Sequence, residues 1–278
     1  VGTDWQMYLL RIDSRGDQSL SDLLKRGMEI GFASLESIAY TFGRKIVIVN
    51  TLSGIIFIYG LIKYCKKQAY PWLALLIAYP VLILLVSICN PRQASAIGFE
   101  LMALASVDNL SRSLLYLIVG STFHQSLITI IPFALISRIR DFTKVNNIIK
   151  ILAIVAPLFY IVFSFYDFVF QGYVDEYIYS QNYIFYSKGA IFRLGWLAIA
   201  GLIFITKKSI FYKYETPNQV SIYNIFSIFS ILLFGLAILF PNITTSLDRI
   251  GYYLYPLSLF VYVRCAQYKL FNFSVNLW

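Results

Sequence analysis

The sequence predicts an all-α, polytopic membrane helix bundle, and three observations carry that prediction. Hydrophobic residues make up 59% of the 278-residue chain and charged residues only 13%, far from the roughly 45–50% apolar and 25% charged of a soluble domain. Aromatic residues reach 18%, and such rings collect where headgroups meet hydrocarbon. Apolar stretches of near-membrane length recur from residue 46 to the C-terminus, and mean hydropathy is +0.69.

Residues 1–45 are mixed and polar, and read as an extracytoplasmic segment. Within them Leu23, Leu24, Met28, Phe32, Leu35 and Ile38 form a weak amphipathic pattern that predicts an interfacial helix. Glu29 and Glu36 lie seven residues apart on that helix, hence on one face, which they are expected to solubilise. Apolar spans follow at about 46–62, 70–88, 94–107, 113–137, 148–170, 190–206, 221–240 and 249–263. Residues 46–278 therefore read as one transmembrane domain, without an internal repeat. The chain starts at Val1 with no signal sequence in view, which predicts a further helix upstream.

The formal charge of +9 comes from Lys and Arg in short loops between apolar spans, the pattern of a positive-inside bias rather than of nucleic-acid binding. Lys63, Lys66 and Lys67, then Arg138, Arg140, Lys144 and Lys150, then Lys207, Lys208 and Lys213, and finally Arg264 and Lys269 are expected on the cytoplasmic side. The loop 171–187 and the segment 241–247 then face outward, as does the stretch before residue 46. Parity conflicts with this layout, because only three apolar segments separate Lys67 from Arg138. Either 113–137 splits at Gly120-Ser121-Thr122-Phe123-His124, or the 14-residue stretch 94–107 re-enters without crossing. Both solutions imply an irregular, protein-lined pocket near Arg92 and His124, since bare backbone is not tolerated against lipid.

Several residues in these outward regions can carry chemistry. Arg92, after Asn90-Pro91, either binds phosphate or snorkels to the interface. His124 is the chain's single histidine and lies within an apolar stretch; it either passes protons or ties two helices together as a neutral hydrogen-bonding group. Asp248 and Arg249 open the last span, followed by Tyr252 and Tyr253, and read as a substrate cluster or as a helix-start carboxylate paired with its neighbour beneath an aromatic belt. Asp4, beside Trp5 and Tyr8, is either a site acid or a solvated loop carboxylate. Cys65, Cys89 and Cys265 are too scattered for a disulfide framework or a metal site. The sequence has no Gly-rich phosphate loop, no nucleophile elbow and no Cys/His metal spacing, so hydrolases of those types and zinc enzymes are unsupported and no metal or cofactor is expected.

The order of these motifs is itself informative. Gly2-Thr3-Asp4-Trp5 with Tyr8, Glu29-Ile30-Gly31-Phe32, Asn90-Pro91-Arg92-Gln93 with Ala96, Phe123-His124-Gln125-Ser126, and Asp248-Arg249-Ile250 with Tyr252-Tyr253 together resemble the EpsG family of exopolysaccharide polymerases. The resemblance spans nearly the whole chain. It implies a Wzy-like, multi-pass glycosyltransferase of the bacterial cytoplasmic membrane. Such an enzyme joins repeat units carried on a polyprenyl (undecaprenyl) pyrophosphate lipid at the outer face, in company with a flippase and a chain-length regulator.

On that reading Arg92 and Arg249 neutralise the leaving pyrophosphate. His124, Asp248 or Asp4 serves the acceptor hydroxyl as base, and Trp5, Tyr8, Gln93, Tyr252 and Tyr253 contact sugars. Two other classes remain compatible with an apolar bundle holding buried charges: a transporter or flippase for lipid-linked oligosaccharide, and a membrane acyltransferase with His124 as base.

Overall fold

The computed structural model describes residues 29–43, 46–139, 187, 189–268 and 270. Among these residues all regular structure is helical, as an all-α membrane bundle requires. They fall into two compact units, one ending at Ile128 and resuming at Tyr255, the other covering Thr129–Leu254.

In the first unit, helix α1 (Ile30–Thr41) packs on α2 (Ile46–Cys65) through Phe32, Leu35, Ala39, Ile46 and Val49. Phe32 and Leu35 of the expected amphipathic pattern thus face a core, while Ile38 is exposed; Leu23, Leu24 and Met28 lie outside the described residues. Glu36 departs from expectation. It follows Phe32 by one helical turn, so it shares the face that meets the protein, and it is only 1% exposed. A solubilising role for Glu36 is therefore wrong.

Helix α3 (Pro71–Ala78) runs into a π-helical stretch, Tyr79–Ser87. Pro80 lies at the start of that stretch, where its missing N–H and ring oppose α-helical closure and a wider turn relieves the clash. The chain breaks at Asn90, and Pro91 opens α4 (Pro91–Leu104) at its first position, where a proline's missing donor costs nothing. Helices α2 and α4 meet where Gly60 faces Gly98, and a Cβ on Gly98 would lie 2.8 Å from the Ile56 carbonyl oxygen. Such close backbone approach is how membrane helices gain dispersion contact without a hydrophobic driving force.

Helix α5 (Leu110–Ser121) starts at Asn109, whose side chain accepts the Arg112 amide hydrogen at 3.0 Å. The chain leaves the helix at Thr122–His124, makes a 3-10 turn at Gln125–Thr129 and resumes as α6 (Ile130–Ile136). The break falls at 120–124, one of the two segments that parity left open.

The second unit contains α6, α7 (Ala190–Thr206), α8 (Lys208–Tyr214), α9 (Pro217–Leu239) and α10 (Thr244–Leu254). Helices α7 and α8 bend by 74° at Lys207. Thr216 and Gln219 form a capping box that starts α9 four residues before the apolar run. Gly201 lets α7 approach α9 closely: a Cβ there would lie 2.5 Å from Ser230 Oγ.

The last expected span, 249–263, is not one helix. Helix α10 ends at Leu254 and α11 (Pro256–Gln267) begins after Tyr255, because Pro256 cannot donate the hydrogen bond a continuous helix needs. Helix α11 belongs to the first unit, where Pro256 accepts a hydrogen bond from the Tyr64 hydroxyl at 3.0 Å and Arg264 donates to Gln68. By length and composition α2 and α9 can each cross a membrane, and the bent pair α7 and α8 is a third candidate. Of the other expected spans, 94–107 and 113–137 form shorter helices, and 148–170 lies outside the described residues.

Candidate functional site

Residues from three separate motifs converge in the first unit. Gly31 donates its amide hydrogen to the Thr122 carbonyl at 2.8 Å, joining the start of α1 to the break after α5. A side chain at Gly31 would lie 2.5 Å from Thr122 Oγ1 and 2.9 Å from the Phe123 ring, so this approach requires glycine. Glu29 is the N-cap of α1, with extended backbone. That places its carboxylate over the break, against the first turn of α4.

The two oxygens of Glu29 divide their partners. Oε2 accepts from Arg92 Nη1 at 3.4 Å, and Oε1 lies 3.3 Å from His124 Nδ1. The opposite ring nitrogen of His124, Nε2, lies 3.5 Å from Ser126 Oγ. Phe32 sits beneath the guanidinium, 5.8 Å from ring centroid to Cζ, and Phe123 stacks on Phe99 at 5.3 Å. Burial by itself pushes the Glu29 carboxyl up. The His124 hydrogen bond and the Arg92 and His124 charges outweigh it and hold the group down at about 2. Glu29 is therefore an anion at neutral pH.

A different cluster forms in the second unit. Asp248, on α10, accepts from Arg193 of α7 through Nε at 3.0 Å and Nη2 at 2.5 Å, a forked pairing. Tyr252 Oη donates to the same carboxylate at 2.9 Å, and Arg193 Nη2 also reaches Ser187 Oγ at 3.0 Å. Asp248 is thus engaged by an arginine from another helix, Arg193.

The expected site residues therefore divide between the units. Arg92 and His124 come together, and Gln93 beside them is buried. Asp248, Arg249, Tyr252 and Tyr253 share α10, with both tyrosine rings buried. Asp4, Trp5 and Tyr8 lie outside the described residues.

Two participants were not anticipated. Glu29 reads from the sequence as a solubilising acid, because an acid in a polar segment is ordinarily solvated. The signal for Arg193 is its place four residues into an apolar span, where an arginine is costly and marks a buried partner.

Helices long and apolar enough to cross a bilayer, joined by broken segments and carrying enclosed ion pairs, define a membrane protein of the helix-bundle class. The EpsG family model matches residues 1–277, and the chain belongs to that family. Membership supports a polymerase-like role in exopolysaccharide biosynthesis. No curated protein and no solved structure matches the chain.

Proposed function

We propose that the protein is a Wzy-like polysaccharide polymerase. It transfers glycan from a polyprenyl-pyrophosphate carrier to a second lipid-linked repeat unit at the outer face of the bacterial cytoplasmic membrane. The carrying observation is that one carboxylate lies 3.4 Å from the Arg92 guanidinium and 3.3 Å from the His124 imidazole. A permanent cation suited to phosphate and an imidazole that can accept a proton thus stand side by side, the two roles that glycosyl transfer from a pyrophosphate uses.

In the reaction His124 accepts the proton of the acceptor hydroxyl as that oxygen bonds to the anomeric carbon. The bond from that carbon to the pyrophosphate oxygen breaks, and its electron pair leaves with the carrier. Arg92 stabilises the charge that develops there. Asp248 suits proton acceptance less, since Arg193 and Tyr252 already engage both its oxygens. Arg249 stays a candidate for phosphate contact, and Trp5, Tyr8, Gln93, Tyr252 and Tyr253 for sugar contact, on the family resemblance. A flippase delivering the donor and a chain-length regulator are the partners that the family resemblance implies.

Purified protein in proteoliposomes with labelled lipid-linked repeat units should extend them into longer chains. Arg92→Ala should slow extension by about 100-fold or more, and His124→Ala by about 100-fold. Wild-type chain length in both variants would sink the assignment. The nearness of Ser126 Oγ to Nε2 gives acyl transfer one supporting observation, and Ser126-dependent transfer of labelled acyl groups to glycan would favour that reading instead.

A further inference from the structure

The same cluster says more than which residues are present, because hydrogen-bond geometry restricts where the single imidazole proton can sit. An ionised carboxylate has no proton to donate. The contact between Glu29 Oε1 and His124 Nδ1 at 3.3 Å is therefore a hydrogen bond only if Nδ1 carries the hydrogen. In the neutral ring Nε2 is then bare. That nitrogen faces Ser126 Oγ at 3.5 Å, a long contact that a better-placed hydroxyl would displace.

The other Glu29 oxygen is bonded to Arg92, so one side chain orients both the base and the cation. Its own position is fixed by the Gly31 to Thr122 hydrogen bond and by the close approach that only glycine permits. Ring and carboxylate thus arrive from two chain segments that are locked together two residues away from the contact.

We infer that Glu29 is the positioning residue of this site: its carboxylate holds His124 as the Nδ1–H tautomer, making Nε2 the atom that takes the acceptor proton. Glu29 acts through His124 and does not itself touch the reacting atoms. Its role in catalysis rests on the polymerase reading, whereas its control of the tautomer does not.

His124 is the chain's single histidine, so protein labelled with 15N-histidine and reconstituted in nanodiscs gives one imidazole spectrum. At a pH where the ring is neutral, the wild type should show a protonated Nδ1 and a bare Nε2. In Glu29→Leu, which has no acceptor, the signal should move toward the Nε2–H form that free imidazole prefers. Extension of lipid-linked repeat units by Glu29→Leu should lose about 100-fold in kcat.

A wild-type spectrum with the hydrogen on Nε2 overturns the inference without any variant, so a folding defect cannot shield it. An identical spectrum in wild type and Glu29→Leu overturns it as well. The expected tautomer in a protein whose His124→Ala variant extends glycan normally would leave the positioning intact and remove the polymerase site.

Discussion

At the scale of residues, the depressed titration of Glu29 makes part of the fold's stability depend on pH. Its carboxyl lies at about 2 against an ordinary 4.5. The stabilisation from Arg92 and His124 is therefore complete above pH 4.5 and disappears as the pH falls from there toward 2. Partial exposure of Arg92 screens the pair, so its worth is about 1–3 kcal/mol. Thermal unfolding in detergent should show Glu29→Gln below wild type at pH 7, with the gap closing between pH 4.5 and about 2; a gap constant over that range would refute the linkage. Arg92 and His124 were legible in the sequence because ionisable groups are conspicuous in apolar surroundings. Glu29 was not, because a polar segment hides an acid's partner when that partner is 63 or 95 residues away.

At the scale of elements, helix breaks were legible where counting charges demanded one and obscure where they did not. Parity between Lys67 and Arg138 called for either a split at 120–124 or a re-entrant 94–107, and the structure has an interruption at Thr122–His124. Nothing comparable marked the end of α10, since Tyr255 and Pro256 sit inside a run that hydropathy alone reads as a continuous span. The tie between α7 and α10 was equally hidden, as 55 residues separate Arg193 from Asp248. That tie should behave as an enclosed ion pair, for its side chains are 20% and 6% exposed. Removing one partner strands a charge, so Arg193→Met or Asp248→Leu alone should destabilise by about 3–5 kcal/mol. Replacing both should recover most of the loss, because two apolar side chains of similar volume need no compensation. Additive losses in a double-mutant cycle, measured by detergent thermal denaturation, would show that the two side chains do not act as a pair.

At the scale of the whole molecule, orientation in the membrane decides whether the Glu29 cluster can meet a lipid-linked glycan outside the cell. Phe123, next to His124, packs against the cluster that α1 forms with Ile46 and Val49 of the first turn of α2. Lys63, Lys66 and Lys67 lie at or just past the other end of that 20-residue helix, which is about 30 Å long and so matches the hydrocarbon thickness. If the positive-inside bias holds the lysines in the cytoplasm, the first turn of α2 and the cluster beside it must face outward. Cys65, Cys89 and Cys265 can be replaced by serine to leave a background for single-cysteine probes. Gln125→Cys, at an exposed position beside His124, should then react with a membrane-impermeant maleimide on intact spheroplasts, whereas exposed Lys67→Cys should react only after permeabilisation. The reverse pattern would put the cluster in the cytoplasm. The donor would then have to be used before it is flipped, and polymerisation at the outer face would be excluded even if every residue-scale prediction held.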